Sequence, residues 1–188
     1  MEHAAGRSFR KALMLPRYTL GEEITNGITH GLGAVLAVVG TVALLIHAPK
    51  NALSLVSVSL YSASMVLLYC VSTLYHALGV NRAKKVFQVL DHCTIYLLIA
   101  GTYTPVSLLC IGGSTGWILV SIVWASAVVG IVLNAVNMRK FRVVSMICYM
   151  AMGWCVIFFL PALLAAIDTV SLILLVAGGV LYTGGAIF

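Results

Sequence analysis

Charged residues are scarce in this chain. Only 9% of its 188 residues carry a charged side chain, and five of them are acidic. A soluble domain has far more charge on its surface, so this composition excludes an ordinary soluble protein. Hydrophobic residues instead make up 62% of the chain, and the mean hydropathy is +1.09. These values indicate an integral membrane protein.

Cysteine pairing signals are also missing. The five cysteines are odd in number and include no C-x-x-C pair. Disulfide frameworks and cysteine zinc sites both need paired spacings, so neither is indicated. We interpret the cysteines as small apolar packing residues.

Six apolar stretches account for most of the sequence, and a helix needs about 20 such residues to cross the hydrocarbon of a membrane. We predict an all-α fold, a polytopic transmembrane helical bundle that spans residues 21–188 with no separate soluble domain. Residues 1–20 are predicted to be a basic cytoplasmic segment that contacts lipid headgroups. The apolar stretches cover residues 25–46, 53–78, 86–110, 117–133, 143–166 and 170–188.

Basic residues fall in alternate connectors. All of them except Lys50 lie in residues 1–20, 82–85 and 139–142. Short loops that are rich in Lys and Arg stay in the cytoplasm, so the amino terminus is predicted to be cytoplasmic. The net charge of +6 then reflects topology, because it forms no continuous basic face that would bind nucleic acid.

Several ionisable and polar residues lie at one membrane level, near the predicted cytoplasmic ends of the first three stretches. Such residues are costly beside hydrocarbon and are functional candidates by default. The alternative is that these residues face interfacial water, or that the histidines are hydrogen-bonded packing residues. We favour this non-functional interpretation for Glu22 and His92. An internal polar cavity is favoured for His76 and Asp91. The candidates are Glu23, Asn26, His30, Ser72, His76, Asp91 and His92.

The motifs that contain these residues resemble the bacterial hemolysin III family, which belongs with the progestin and adipoQ receptors and the alkaline ceramidases. The resemblance covers nearly the whole chain from Gly21 onward. It rests on Glu23-x-x-Asn26-x-x-Thr29-His30-x-x-Gly33, on Ser72-Thr-Leu-Tyr-His76, and on the run from Asp91-His92-Cys-Thr-Ile-Tyr96 to Pro105.

The resemblance implies seven helices around a zinc ion near the cytoplasmic side. One ligand would be a histidine of the second helix, and two would come from an H-x-x-x-H on the seventh. By motif, His76 matches the first ligand, Asp91 matches the acid that holds the water on the metal, and Ser72 matches the neighbouring serine. Glu23, Asn26, His30 and His92 would then surround the site.

The sequence departs from that pattern at its end. Six helices of an expected seven are present, and no H-x-x-x-H occurs before Phe188. We therefore expect the two remaining histidine ligands beyond Phe188. Zinc binding is expected in a complete chain and should be weak or absent in residues 1–188.

The function implied by the resemblance is zinc-dependent hydrolysis of a membrane lipid amide, similar to ceramide, in the bacterial inner membrane. A pore-forming, cytolytic protein is one alternative, and a receptor or sensor with structural zinc is another. Bis-histidine haem binding is more distant. Zinc content together with lipid-amide turnover would support the enzyme. Ion conductance in clean bilayers would support the pore, and visible absorbance would support the haem protein.

Overall fold

A computed structural model describes residue 13 and residues 15–187 of the chain. Most of the predicted basic segment, residues 1–20, therefore lies outside the described residues. The described part is helical and contains no strand, which confirms the predicted all-α bundle. The helices are α1 (Leu20–His47), α2 (Ala52–Ala77), α3 (Arg82–Pro105), α4 (Gly113–Asn137), α5 (Arg142–Trp154), α6 (Leu160–Ala166) and α7 (Thr169–Ile187).

Five segments are long and apolar enough to cross a membrane, judged by length and composition. The third combines α3 with a π-helical turn, and the fifth combines α5 and α6. A sixth, shorter apolar helix corresponds to the last predicted stretch. The five are Leu20–His47, Ala52–Ala77, Arg82–Ile111, Gly113–Asn137 and Arg142–Ala166, and the shorter one is Thr169–Gly185.

Polar caps extend the helices beyond their apolar stretches. The side chains of Thr19, Asn51 and Asn81 each accept a hydrogen bond from a backbone N–H in the first turn of α1, α2 and α3. Such caps stabilise a helix start by about 1 kcal/mol. The first helix consequently begins at Leu20, before its apolar stretch starts at residue 25.

The two membrane prolines coincide with changes of helix type. Pro105 ends α3, and a π-helical turn follows at Val106–Ile111. Pro161 lies in the first turn of α6, directly after a 3-10 segment, Cys155–Phe159. Proline cannot donate the backbone hydrogen bond of a regular helix, which is consistent with the change of helix type at both places.

A tyrosine of α3 bonds the backbone at the second of these breaks. The Tyr103 hydroxyl donates to the carbonyl of Gly153 at 2.9 Å and accepts from the backbone N–H of Val156 at 3.1 Å. Backbone groups freed inside a membrane need such partners, because hydrocarbon offers none. The break is thus stabilised by a side chain from another helix.

The main apolar core lies where α3, α4 and α5 meet. Its residues are Tyr96, Ile99, Ala100, Tyr103, Leu119, Val123, Ala127 and Met152. The Tyr96 hydroxyl donates to the carbonyl of Ser145 on α5 at 3.0 Å. A side chain at Gly130 would collide with the Tyr96 ring, so glycine permits this close packing of α4 on α3.

Large aliphatic side chains cover much of the outer surface. Only 6% of the most apolar window of α1 is buried within the bundle, compared with 44% for the third spanning segment. Exposed apolar surface of this extent is unfavourable in water and favourable in hydrocarbon. The protein is therefore an integral membrane protein in which α3 is central and α1 is peripheral.

The amino-terminal ends of α1, α3 and α5 lie at the same end of the bundle, because consecutive helices run in opposite directions. This end carries the connectors 78–81 and 138–141 and is called the basic end below. Arg82, Arg139, Lys140 and Arg142 are exposed there.

We predict that the basic end faces the cytoplasm. A reporter that is active only outside the cytoplasm should be active when fused within residues 111–115 and inactive when fused after Arg142. Fusions with a reporter that is active only in the cytoplasm should give the opposite pattern. Activity of the first reporter after Arg142 would contradict the orientation.

Candidate functional site

The start of α1 directs two neighbouring glutamates to different places. Thr19 Oγ1 accepts from the Glu22 N–H at 3.2 Å, while a Glu22 carboxylate oxygen accepts from the Thr19 N–H at 2.6 Å. This reciprocal pair is a capping box, and it holds Glu22 at the exposed helix end. Glu23, the next residue, turns towards the bundle.

The Glu23 carboxylate bridges α2 and α3. Its Oε2 lies 2.9 Å from Nδ1 of His76, and its Oε1 accepts from Nζ of Lys84 at 2.7 Å. The side chains of Glu23, His76 and Lys84 are only 12%, 8% and 4% exposed. Buried charges are costly unless they are paired and hydrogen-bonded, and here each carboxylate oxygen has a partner. We call these three residues the Glu23 cluster.

The hydrogen bond to Glu23 determines which nitrogen of His76 can bind another group. An ionised carboxylate only accepts, so Nδ1 carries a proton and donates a hydrogen bond to Glu23. In a neutral imidazole, Nε2 is then the ring nitrogen with a lone pair. Histidines that bind metals commonly donate their other N–H to a carboxylate in this way, which fixes the orientation of the ring.

Aromatic rings surround the His76 imidazole. Its ring centroid lies 4.7 Å from that of Tyr75, 5.6 Å from that of Tyr18 and 6.0 Å from that of His30. Gly27 of α1 lies next to the Cβ of His76, so α1 and α2 are close together at this point. The ring is thus enclosed near the basic end.

His30 differs from the other helical histidines. His47 and His92 each place Nδ1 within hydrogen-bonding distance of the carbonyl four residues earlier, at 2.8 and 3.0 Å. The Nδ1 of His30 is buried and has no hydrogen-bond partner among the described residues. A buried polar atom without a partner costs about 1–3 kcal/mol, so His30 is a second candidate to contact a bound molecule or ion.

Asp91 lies near the same group of rings. Burial raises the pKa of Tyr18, and the negative charges of Asp91 and Glu23 raise that pKa further. The Tyr18 ring packs on His76, so the negative charge of Asp91 acts on a group that lies beside the His76 imidazole. The Asp91 side chain is 18% exposed.

The remaining candidates have more varied positions. Ser72 is buried, one helical turn before His76 on α2. Asn26 is partly buried on α1, between Glu23 and His30. His92 turns away from Asp91: its Nδ1 is 3.8 Å from the Asp91 carboxylate, beyond hydrogen-bonding distance, and bonds the Gln88 carbonyl instead.

Lys84 is the residue that the sequence interpretation missed. Its position in a connector suggested only a role in topology, yet the residue is 3% exposed and its ammonium points into the bundle. A signal was present in the sequence, because Lys84, Gln88 and Asp91 follow helical spacing and share one face of α3. Gln88 is also buried.

The described residues fit a zinc ion only in part. Among them, no group of three His, Cys, Asp or Glu side chains lies close enough to hold a metal. Catalytic zinc is usually held by three protein ligands. His76, whose Nδ1 is bonded to a carboxylate, supplies one suitable ligand atom.

These observations define a polytopic helical membrane protein with a buried carboxylate, imidazole and ammonium at one end of its first three helices. A family profile described as haemolysin-III related matches residues 18–188. The chain belongs to this family, as its motifs suggested.

Curated relatives agree with this assignment. The chain is 44% identical over 169 residues to Hemolysin-3 of Bacillus cereus, covering 89% of this chain and 77% of that protein. It is 40% identical over 173 residues to a Hemolysin-3 homolog of Bacillus subtilis strain 168, covering 91% and 81%.

A more distant similarity extends to animals. The monocyte to macrophage differentiation factor of Homo sapiens is 28% identical over 177 residues, covering 90% of this chain and 72% of that protein. No solved structure gives a significant match.

Proposed function

We propose that this protein is a zinc-dependent hydrolase that cleaves an amide bond of a membrane lipid. The observation that carries the proposal is the buried pair of Glu23 and His76, in which a 2.9 Å hydrogen bond to Nδ1 leaves Nε2 available for a metal. A carboxylate behind an imidazole is the arrangement that supports histidine ligands in metalloenzymes.

Zinc held by three protein ligands supplies a Lewis acid and lowers the pKa of its water to about 7. We assign one ligand to His76 and two to an H-x-x-x-H pair of the kind that the family resemblance implies, which does not occur in residues 1–188. Among the described residues, His76 thereby supplies one of the three proposed ligands.

The roles of the neighbouring side chains follow from their chemistry. The Asp91 carboxylate accepts a proton from the attacking water and orients it, which is general base catalysis. The buried Ser72 hydroxyl donates a hydrogen bond to the oxygen that becomes negative when the amide carbonyl is attacked. Asn26, His30 and His92 lie around this group as candidates for binding the polar part of the substrate.

The surroundings of the cluster suit a lipid substrate. α1 exposes most of its apolar length to the hydrocarbon, and the cluster lies near its amino-terminal end. A lipid with its amide at the membrane interface would reach the cluster sideways from the bilayer. We place the protein in the bacterial cytoplasmic membrane with the basic end inside.

A pore is the main alternative function, and burial argues against the serines along one side of α2 as its lining. Ser54, Ser57 and Ser72 are 4%, 0% and 2% exposed. Residues that line an aqueous conduit contact water, whereas these pack against other helices. Ion conductance by the purified protein in lipid bilayers would favour the pore and count against the hydrolase.

The test of the zinc site is a comparison of metal contents. We expect residues 1–188 to hold zinc weakly and to lose it to a mild chelator, because one strong ligand cannot retain catalytic zinc. Bacillus cereus Hemolysin-3, of which the alignment covers 77%, should retain about one zinc per chain under the same conditions.

Tight zinc binding by residues 1–188 would contradict the ligand count and would indicate that other residues, such as His30 and His92 together, complete the site. Absence of zinc from both purified proteins would overturn the proposed function itself.

A further inference from the structure

Lys84 is buried, and the partners of its ammonium among the described residues all belong to the helical bundle. Nζ donates to Glu23 Oε1 at 2.7 Å and to the backbone carbonyl of Leu78 at 3.0 Å. It also lies 5.1 Å from the centroid of the Tyr75 ring, within the range of a cation–π contact. These contacts come from α1, from the end of α2 and from the residue that precedes His76.

The backbone fixes the point from which this side chain extends. Asn81 caps α3 by accepting a hydrogen bond from the Lys84 N–H at 2.8 Å. The Lys84 side chain therefore extends from the first turn of α3 back over the end of α2. Carbonyls at a helix end lack partners within the helix, and Lys84 bonds one of them.

The two oxygens of Glu23 divide their bonds between Lys84 and His76. Rotation of the carboxylate would move both oxygens together, so the bond to Lys84 restricts the position of the oxygen that accepts from His76. The hydrogen bond at one ring nitrogen in turn determines which nitrogen carries the proton. The orientation of the His76 imidazole therefore depends on Lys84, although Lys84 forms no hydrogen bond with the ring.

We propose that Lys84 is a positioning residue that holds the Glu23 carboxylate, and through it the His76 imidazole, in the orientation that presents Nε2 to a metal. The proposal rests on the proposed zinc site. It goes beyond that site because it assigns a role to a residue that is neither a ligand nor a contact of the substrate.

Nitrogen NMR of zinc-free protein with 15N-labelled histidine tests the orientation without any metal. The His76 signals are identified by their loss in His76→Gln. In the wild-type protein we expect Nδ1 protonated and Nε2 unprotonated. In Lys84→Met this single pattern should be replaced by a mixture of the two neutral forms, because the carboxylate is no longer held.

Matched variants separate this role from general packing. Lys85→Met removes the neighbouring ammonium, which hydrogen-bonds the Gln88 side chain and not the Glu23 cluster in the described part of the chain, and should keep the wild-type pattern. Lys84→Arg retains a positive donor and should keep more of that pattern than Lys84→Met. If Lys84→Met does not fold, Lys84→Gln takes its place and should also give a mixture, because a neutral amide forms no ion pair with the Glu23 carboxylate.

The proposal is overturned if folded Lys84→Met shows the wild-type nitrogen pattern, or if wild-type His76 is protonated on Nε2. A second measurement is zinc retention during competition with a chelator, made on a chain that binds zinc. Loss of a residue that supports a ligand typically weakens metal binding 10–100-fold, and we expect about 10-fold for Lys84→Met and no change for Lys85→Met.

Equal zinc retention by Lys84→Met and the wild type would likewise overturn the proposal. If the wild type binds no zinc at all, the proposed function fails, yet the nitrogen pattern still decides whether Lys84 orients His76. The two failures are therefore distinguishable.

Discussion

Replacement of His76 by alanine is expected to abolish stable zinc binding, whereas replacement of Asp91 by asparagine is expected to leave most of the zinc in place. The two changes differ because His76 is assigned as a direct ligand and Asp91 as the base that takes a proton from water. Loss of a ligand should weaken zinc binding by more than the 10–100-fold seen when a supporting residue is lost. Loss of a general base lowers the rate about 10²–10⁴-fold.

The measurement combines zinc content after dialysis against a chelator with hydrolysis of a fluorescent ceramide-like amide in detergent micelles. It uses a chain that holds zinc. His47→Ala is the matched control, because His47 lies at the opposite end of α1 and its Nδ1 bonds the Ala43 carbonyl. If both site variants keep full zinc and the activity of the parent, His76 and Asp91 are structural and the metalloenzyme proposal should be abandoned.

Replacement of Glu23 by alanine is expected to destabilise the protein by about 3–5 kcal/mol, because it leaves the Lys84 ammonium buried without its carboxylate. Glu23 also accepts from His76, so two buried donors would lose their acceptor. The free energy of unfolding can be measured by titration with SDS in mixed micelles, with helical circular dichroism as the signal.

Two further variants make this prediction specific. Glu22→Ala removes the exposed capping partner next in sequence and should lower the free energy of unfolding much less than Glu23→Ala, because Glu22 pairs with no buried charge. The double variant Glu23→Ala with Lys84→Met removes both charges and should recover part of the loss, because neither charge is then left unpaired. A double variant that is the sum of its single variants would show that the ion pair is not coupled in this way.

Much of the fold could be predicted from the sequence because the relevant signals are local. Apolar length predicted the six apolar segments, and their regular structure changes at Pro105 and Pro161. The helix starts were less accurate, since apolarity marks the hydrocarbon region while Thr19 and Asn81 mark the backbone ends. Capping residues were the better guide to the ends.

The candidate site was predictable only in part, for a physical reason. The Ser72 and His76 motif and the Asp91 motif can be read within single helices. The partnership of Glu23 with His76 and Lys84 joins three helices and depends on side-chain directions that spacing does not give. Lys84 was assigned to the connector because most lysines near a membrane reach towards water, but here the neighbouring carboxylate and the Leu78 carbonyl hold it inside.

The hydrogen bonds of Tyr103 also have a consequence for the order in which the protein assembles. Membrane helices first insert separately and then pack together. The 3-10 segment between α5 and α6 has backbone groups bonded by a hydroxyl that belongs to α3. Before α3 is alongside, those groups would face lipid without partners, which favours a regular α-helix. We therefore expect the 3-10 form of the fifth spanning segment to be acquired on docking against α3, after insertion.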